Sequence, residues 1–247
     1  MMAIWLALGA AVGSFLNVCA DRIPSGRSVV RPGSYCESCA TPLGFVDLIP
    51  VLSLLWLRGR CRHCRAPIPG RLLIVETITA VVFGLVWYYS PTTLEATVYA
   101  MHASLLILVA IIDLQHQLIL NKITYPWAVA ALALSAFLPE VGLWRAGVGA
   151  AIALGLFGAI FALAPQGMGF GDVKLAGVIG LVVGFPAVLV ALVLGAVSGG
   201  IVGAALLLAG RKGRKDALPF GVFLSIGGIV SLLWGPVLWG AYLRWII

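Results

Sequence analysis

Charged side chains are scarce in this 247-residue sequence, in which Asp, Glu, Lys and Arg together make up only 10% of the residues. Hydrophobic residues make up 62%, and the mean hydropathy is +1.08. A soluble domain has about 25% charged residues, so this composition excludes an ordinary soluble globule. It also leaves too little polar sequence for a separate soluble enzyme domain, such as a Rossmann fold or a TIM barrel, on a membrane anchor. The sequence is that of a membrane protein.

Two further absences narrow the functional classes. The first twenty residues contain no Lys or Arg, so they lack the basic start of a cleavable signal peptide and are predicted to be a retained first span. No glycine-rich strand-to-helix motif for dinucleotides is present. The net charge of +7 is expected to follow membrane topology, so a nucleic-acid partner is not expected.

Apolar runs between polar breaks predict an all-α, polytopic membrane helix bundle with about eight transmembrane helices. Seven remain possible, because the sixth run is shorter than the ~17 residues that a span usually needs. The predicted spans are residues 1–20, 72–90, 95–112, 123–138, 145–164, 173–184, 186–209 and 219–243.

The basic residues predict the orientation of these spans. With the N-terminus outside, fourteen of the sixteen Lys and Arg residues lie on the cytoplasmic side, as the positive-inside rule requires. Only Arg145 and Arg244 then lie outside. The cytoplasmic set is Arg22, Arg27, Arg31, Arg58, Arg60, Arg62, Arg65, Arg71, Lys122, Lys174, Arg211, Lys212, Arg214 and Lys215. The sequence thus divides into a first helix (1–20), a cytoplasmic loop (21–71) and a membrane core (72–247).

The cytoplasmic loop contains two Cys-x-x-Cys pairs, Cys36 with Cys39 and Cys61 with Cys64. Two such pairs can place four thiolates around one tetrahedral zinc ion, and a reducing compartment favours metal binding over disulfides. The alternative is a membrane thiol oxidoreductase that uses the same pairs. Four sulfur ligands leave no open position, so the predicted zinc is structural. Cys19 is expected to be an apolar packing residue.

Two of the nine acidic residues lie against apolar runs. Asp113 ends one predicted span, and Asp172 follows glycines at 167, 169 and 171 just before another. Ionisable residues at a membrane are costly and indicate function by default. Both carboxyls are expected at the cytoplasmic ends of their helices, where one can keep a proton while the other acts as a base on water. The glycines allow close backbone approach and positive φ angles, so an extended substrate can lie beside them.

Other interpretations of the acidic residues stay open. Asp172 can cap a helix, and Asp113 can be an ordinary interfacial residue. A proton-coupled transporter would also place carboxylates in the membrane, although at its midplane and without a reason for four cysteines. Glu76 can contact substrate or a methyl donor, or it can pair with Arg71.

Several short segments stand in a fixed order between residues 13 and 221. They are Gly13-Ser14-Phe15-Leu16-Asn17-Val18, Asp21-Arg22-Ile23-Pro24, the first cysteine pair, Pro50-Val51-Leu52-Ser53, the second cysteine pair, Ile112-Asp113-Leu114 with His116-Gln117-Leu118, Gly169-Phe170-Gly171-Asp172-Val173-Lys174-Leu175 and Pro219-Phe220-Gly221. In these segments the sequence resembles the type IV prepilin peptidases, the bacterial GxGD membrane aspartic proteases, over nearly its whole length.

The resemblance implies an enzyme of the bacterial inner membrane that cleaves the leaders of type IV prepilins or type II secretion pseudopilins at the cytoplasmic face. It implies that Asp113 and Asp172 are catalytic, that Gly169 and Gly171 position substrate, and that Cys36, Cys39, Cys61 and Cys64 hold zinc. Many members also methylate the new N-terminus from S-adenosylmethionine. Leu72-Leu73 stand where the family usually has Tyr-Pro, so the sequence leaves methylation open, as it does the oligomeric state.

Overall fold

A computed structural model describes residues 1–165, 168–211, 213 and 218–246. These residues form nine α-helices and one 3₁₀ turn at Phe45–Leu48, and within them the only β-pairing is two isolated bridges. The helices are α1 Met2–Arg22, α2 Leu52–Trp56, α3 Gly70–Tyr89, α4 Thr93–His116, α5 Asn121–Ser135, α6 Gly142–Leu163, α7 Phe170–Val183, α8 Ala187–Leu208 and α9 Phe220–Ile246. The predicted all-α fold is confirmed. Gly167, Lys212, Arg214 and Lys215, which the sequence analysis used, lie outside the described residues.

Each of the eight predicted spans corresponds to one helix. Six of these helices, α1, α3, α4, α6, α8 and α9, are long and apolar enough to cross a membrane. The other two are shorter, since α5 has 15 residues and α7 has 14. Large apolar side chains such as Val193, Ile201 and Val237 are more than half exposed on α8 and α9. An apolar outer surface of this kind suits lipid and indicates a multi-pass membrane protein.

Prolines and glycines set several helix ends. Pro69 directly precedes α3 and Pro186 directly precedes α8, positions where the missing proline N–H costs no helical hydrogen bond. Gly184 ends α7 with a φ of +67°, a left-handed conformation that glycine adopts at little cost. The segment Gly184-Phe185-Pro186 therefore ends α7 at Val183 and precedes the start of α8.

The chain forms two compact units, residues 1–96 and 97–247. In the first unit, α1 packs against α3 through glycines, because a Cβ on Gly13 would lie only 2.8 Å from the Cα of Glu76. Near the other end of the pair, Trp5 stacks on Trp87 with ring centroids 5.4 Å apart. Small residues at helix crossings are typical of membrane bundles, where close backbone packing replaces the hydrophobic driving force.

The second unit repeats this packing at two crossings. A Cβ on Gly149 of α6 would lie 2.6 Å from the carbonyl oxygen of Gly180 on α7. Gly227 of α9 packs in the same way against the backbone of Ala191 on α8, and the Ser231 hydroxyl donates to the Ala187 carbonyl at 2.6 Å. These crossings fix α7 and α9, whose first turns form part of the site described next. The three-part division into 1–20, 21–71 and 72–247 stays a prediction.

Candidate active site and metal centre

Asp113 and Asp172 are brought together in the second unit by three helix ends. Asp113 lies in the last turn of α4, and Asp172 lies in the first turn of α7. The first turn of α9 contacts Asp113 through Gly221 and Val222. The two carboxyl groups are close enough to repel each other electrostatically. An arrangement of this kind puts two acids and several backbone amides in one small volume.

Asp113 is 4% exposed and is held by the backbone at the start of α9. Its Oδ2 accepts a hydrogen bond of 3.2 Å from the Val222 amide, and the Gly221 amide donates to the same carboxyl group. A Cβ on Gly221 would lie 2.9 Å from that Oδ2, closer than real side chains approach. Glycine is therefore required for α9 to reach Asp113.

Asp172 is half-buried and caps α7. Its Oδ2 accepts a hydrogen bond of 3.2 Å from the Gly169 amide, the residue that precedes the helix. The capping interpretation of Asp172 is thus confirmed as a structural fact. Capping fixes the carboxylate in place beside Asp113 and leaves its remaining lone pairs for other contacts.

The residues around the two aspartates pack tightly. Ile119, which follows α4, packs against both Gly171 and Gly221. A Cβ atom added to Gly171 would lie 3.0 Å from the Ile119 side chain, and one added to Gly221 would lie 3.1 Å from it. Two aromatic pairs join α6 to the starts of α7 and α9, with ring centroids 5.6 Å apart for Phe161 and Phe170 and 6.2 Å apart for Phe157 and Phe220. Helix α6 therefore positions the first residues of both α7 and α9.

Of the two described glycines before Asp172, only Gly171 allows close approach, and neither has the positive φ angle that the sequence permits. Gly169 has a φ of −74°, and Gly171 lies within the first turn of α7. Gly171 has Ile119 against it, whereas a Cβ on Gly169 would meet only atoms 3.4 Å or more away. The two glycines therefore meet different steric demands.

Lys174, which the sequence analysis counts among the cytoplasmic basic residues, lies beside this site. Its ammonium group donates to the side chain of Asn121 at the start of α5, and it lies 5.6 Å from the ring centroid of Tyr125 and 5.4 Å from that of Phe170. Cation–π contacts of this type are worth about 0.5–1 kcal/mol at exposed sites. Lys174 thus links α5 to α7 within one turn of Asp172.

The four predicted zinc ligands form one cluster in the first unit. The sulfur atoms of Cys36, Cys39, Cys61 and Cys64 all lie within 4.8 Å of one another, and those of Cys36 and Cys64 are 3.8 Å apart. Zinc–sulfur bonds of about 2.3 Å in a tetrahedron place sulfur atoms about 3.8 Å apart. The cluster therefore has the size and the ligand chemistry of a Cys₄ zinc site.

The two cysteine pairs lie in turns of the same conformation. Cys36 and Cys61 each donate their amide to the carbonyl five residues on, Thr41 and Ala66, at 3.0 and 2.8 Å. In each half the residue after the second cysteine, Ala40 or Arg65, has a positive φ. The sequence signal for this pairing is the repeated spacing Cys-x-x-Cys-x-x-Pro, which ends at Pro42 and at Pro67, and sequence reasoning missed it.

Hydrogen bonds in this loop favour the thiolate forms of Cys39 and Cys61. The backbone hydrogen bond of Ala66 acts in the same direction on Cys64, but desolvation and the neighbouring cysteines outweigh it and raise the pKa of Cys64 to about 11. The Thr41 hydroxyl lies 3.2 Å from the Cys39 sulfur, and this hydrogen bond lowers the pKa of Cys39 to about 6. The backbone amides of Cys64 and His63 lower the pKa of the Cys61 thiol. Cys19 lies apart from the cluster, buried in α1, as expected for a packing residue.

Glu76 and Arg71 do not pair with each other, and the interpretation that paired them is wrong. Arg71 binds both carboxylate oxygens of Asp21 at 2.9 Å. Glu76 is 4% exposed and accepts a hydrogen bond of 2.7 Å from the amide of Val51, just before α2. The Glu76 carboxylate thus connects α3 to the loop. The sequence did not predict this contact, because Glu76 and Val51 are 25 positions apart.

Comparisons with known proteins agree with these positions. Residues 7–90 match the bacterial peptidase A24 N-terminal domain, and residues 100–204 match the type IV leader peptidase family. The chain belongs to the type IV leader peptidase family. Asp113 and Asp172 lie within the second matched segment, and the four cysteines lie within the first. The family assignment makes the protein a peptidase.

Several relatives of this peptidase carry the same name, prepilin leader peptidase/N-methyltransferase. The Bacillus subtilis protein is 32% identical over 99% of this chain and 98% of its own length. The Aeromonas hydrophila protein is 30% identical over 94% of this chain and 90% of its own length. The Myxococcus xanthus protein is 35% identical over 87% of this chain and 66% of its own length. No solved structure matched the chain.

Proposed function

We propose that this peptidase is an aspartic endopeptidase that removes the leader peptide of type IV prepilins or type II secretion pseudopilins, with Asp113 and Asp172 as its catalytic pair. The single observation that supports this most strongly is that the fold brings these two residues, 59 positions apart in the sequence, to one site: Ile119 packs against Gly171, next to Asp172, and against Gly221, which contacts the Asp113 carboxyl group. The names of the relatives given above, prepilin leader peptidase/N-methyltransferase, support the cleavage of prepilin leaders.

The mechanism needs one proton shared between the two carboxyl groups. Like charges held close together do not ionise together easily, so one group stays protonated. The ionised carboxylate takes a proton from water as the water oxygen attacks the scissile carbonyl. The protonated carboxyl group donates to the carbonyl oxygen, and a proton is then delivered to the leaving amine as the carbon–nitrogen bond breaks. The pair titrates as a unit, so we assign neither role to one residue.

The backbone around the pair gives each carboxyl group a fixed direction. Amides of Gly221 and Val222 hold Asp113, and the amide of Gly169 holds Asp172, so neither carboxyl group must be ordered when substrate binds. Gly169 is exposed and has an extended backbone. We assign Gly169 and Gly171 to substrate positioning, with the leader junction extended alongside them.

Zinc is proposed as a structural cofactor of the loop. Cys36, Cys39, Cys61 and Cys64 would hold it, and all four coordination positions would be filled by sulfur. The ion would stabilise a segment that has only a five-residue helix and one 3₁₀ turn of its own. Its bond energy replaces a hydrophobic core that the loop lacks.

We place the protein in the bacterial inner membrane with the active site at the cytoplasmic face. The distribution of basic residues supports this orientation, because it puts the cysteine loop and both aspartates on the same side. The partners are then the bilayer and the prepilin or pseudopilin substrate. No nucleic-acid partner is proposed, since the basic residues are accounted for by topology.

Methylation of the new N-terminus is proposed as a second activity, with S-adenosylmethionine as the donor. The names of the relatives support it. The amine that receives the methyl group is released by the cleavage step, so the two activities act in sequence on one substrate.

The experiment incubates the purified, detergent-solubilised protein with a prepilin and isotope-labelled S-adenosylmethionine and reads the product by mass spectrometry. Loss of the leader is expected with the wild-type protein and not with the Asp172→Asn variant. A pilin supplied without its leader is the control that reports methylation independently of cleavage. A panel of prepilins and pseudopilins that all remain intact would contradict the proposal.

A further inference from the structure

An apolar and exposed segment lies between the two cysteine pairs of the first unit. Trp56 is 88% exposed and Phe45 is 85% exposed, and Val46, Leu52 and Leu55 are each between 58% and 65% exposed. Large apolar patches are rare on protein surfaces in water and mark sites that bind a partner or a membrane. Residues 45–56 therefore have a surface that something other than water covers.

The exposed side chains of α2 share one face of that helix. Leu52, Leu55 and Trp56 have the i, i+3, i+4 spacing that places side chains next to one another on a helix. Leu54 points the other way and is buried. The 3₁₀ turn that contains Phe45 packs against α2. The turn and the helix thus present their exposed apolar side chains as neighbours.

Polar contacts hold the backbone of this segment in place. Asp47, in the 3₁₀ turn, accepts a hydrogen bond of 3.1 Å from the Gly44 amide and pairs with Arg62 at 2.8 Å. The Val51 amide, just before α2, donates to Glu76 of α3 at 2.7 Å. The exposure of the apolar side chains is therefore a property of the folded loop.

The contact with Glu76 also sets the depth of α2 relative to the membrane. Helix α3 has 20 residues and is about 30 Å long, so all of it is needed to cross the hydrocarbon core. Glu76 lies two turns into α3, about 9 Å along the helix from Gly70. Ile74 and Ile78 flank it and are 59% and 49% exposed, as expected for side chains in contact with lipid. The start of α2 is therefore close to the level of the lipid-facing part of α3.

Basic residues follow the apolar segment and suit the phosphate groups of lipids. Arg58, Arg60 and Arg65 are exposed, and none of them forms an ion pair with a described residue. Asp47 is the only acidic residue from position 43 to position 65, and Arg62 already pairs with it. Segments that combine Trp, Phe and Leu with nearby Arg are typical of the membrane interface. A bilayer thus provides both the apolar contact and the negative charge at the depth of α2.

We propose that residues 45–56 form an interfacial anchor, in which the exposed face of α2, with Phe45 beside it, inserts among the lipid headgroups and the first acyl carbons. The occupant of this surface is the bilayer itself. The anchor lies between the two cysteine pairs, so it holds both cysteine turns against the membrane surface. It needs no substrate and no catalytic residue, and its test is independent of the peptidase proposal.

The test uses the purified full-length protein in vesicles of phosphatidylcholine and phosphatidylglycerol, with at most a single protein per vesicle. A small share of the phosphatidylcholine carries a photoreactive diazirine in its acyl chain, and peptide mass spectrometry assigns each lipid adduct to a residue. We expect at least about tenfold more adduct at Trp56 than at Val30, because an interfacial segment is buried about 5–10 Å into the boundary of headgroups and acyl chains. Val30 is an exposed apolar residue of the same loop outside the anchor, and Ile78 of α3 is the reference for lipid contact.

Three variants test the contribution of Trp56. Trp56→Glu should lower the adducts at Leu52 and Leu55 about tenfold, because it removes the largest apolar side chain of α2 and adds a charge. Val30→Glu is the matched control, with the same charge at an exposed position outside the anchor, and should leave these adducts unchanged. Trp56→Phe keeps an aromatic ring and should retain the labelling. Unchanged labelling of Ile78 in every variant shows that the helices are still inserted.

Several results would overturn the anchor. Adduct at Trp56 no higher than at Val30 would place the segment in water, and adducts at Leu52 and Leu55 that Trp56→Glu leaves unchanged would show that Trp56 does not hold the segment in the bilayer. Labelling of Trp56 that falls to the level of Val30 when a prepilin is added would assign this surface to the substrate. The same fall in vesicles that hold several proteins would assign it to a second copy of the chain.

Discussion

At the scale of single residues, Asp113 and Asp172 have different surroundings although both are aspartates at helix ends. Asp113 is buried and depends on two amides of another helix, whereas Asp172 is half-buried and is held by the amide that precedes its own helix. The position of Asp113 is therefore sensitive to changes in α9. Asp172 depends mainly on local structure.

Gly221→Ala is predicted to impair cleavage by displacing Asp113. The added Cβ would lie 2.9 Å from the Asp113 Oδ2, so the carboxyl group or the start of α9 must move. Displacements of about 1 Å at a catalytic group cost about a hundredfold in rate, and we expect a loss of that order in kcat/KM. Gly200→Ala on α8, where an added Cβ meets nothing within 4 Å, is the matched control and should cleave normally. Equal rates for the two variants would refute this dependence on α9.

The sequence identified Asp113 and Asp172 because acids at membrane boundaries are rare and costly. It did not identify the amides of Gly221 and Val222, which lie more than one hundred positions from Asp113 in the chain. Every residue except proline has an amide, so residue type alone carries no signal of which one donates to a distant carboxylate. The Pro219-Phe220-Gly221 segment indicated the region and left its role undefined.

At the scale of elements, the loop of residues 21–71 gets its order from paired turns and from contacts with the flanking helices. Each cysteine turn uses the same hydrogen bond and the same positive φ, and Glu76 of α3 accepts from the amide before α2. The cysteine spacing alone predicted the ligands, since four thiolates at that spacing suit one ion. The anchoring of the loop by Glu76 and by the ion pair of Arg71 with Asp21 required the fold.

Cys36→Ser is predicted to abolish zinc binding. The wild-type protein should contain about one zinc per chain by metal analysis, and loss of one of four ligands should reduce this to a small fraction. Limited proteolysis should then cut the loop between α1 and α3 faster. Cys19→Ser, at the buried cysteine outside the cluster, is the control and should keep the metal. Full zinc content in Cys36→Ser would show that the ion is held elsewhere.

At the scale of the whole molecule, hydrophobicity predicted the helices well and their lengths less well. All eight apolar runs are helices, because apolar stretches near twenty residues have few alternatives in lipid. α5 and α7 are too short to span a bilayer of about 30 Å unaided. α7 begins after Gly169, ends at Gly184 and packs closely on α6, and a window of hydropathy does not resolve these features.

The orientation of the chain is predicted from its basic residues and is open to a direct check. Val30→Cys, in the loop after α1, should be labelled by an impermeant maleimide only when the cytoplasmic side is exposed. Glu140→Cys, between α5 and α6, should be labelled only from the opposite side. Both positions are exposed in the structure, and peptide mass spectrometry assigns the label to each residue. Labelling of both from one side would contradict the predicted topology.

The measurement that tests the central claim most directly is the single-turnover rate of leader cleavage for wild type, Asp113→Asn, Asp172→Asn and the double variant. If the two carboxyl groups act as one catalytic unit, each single variant should lose about a thousandfold or more, and the double variant should be no slower than either. A single variant that cleaves within tenfold of the wild-type rate would contradict the catalytic pair.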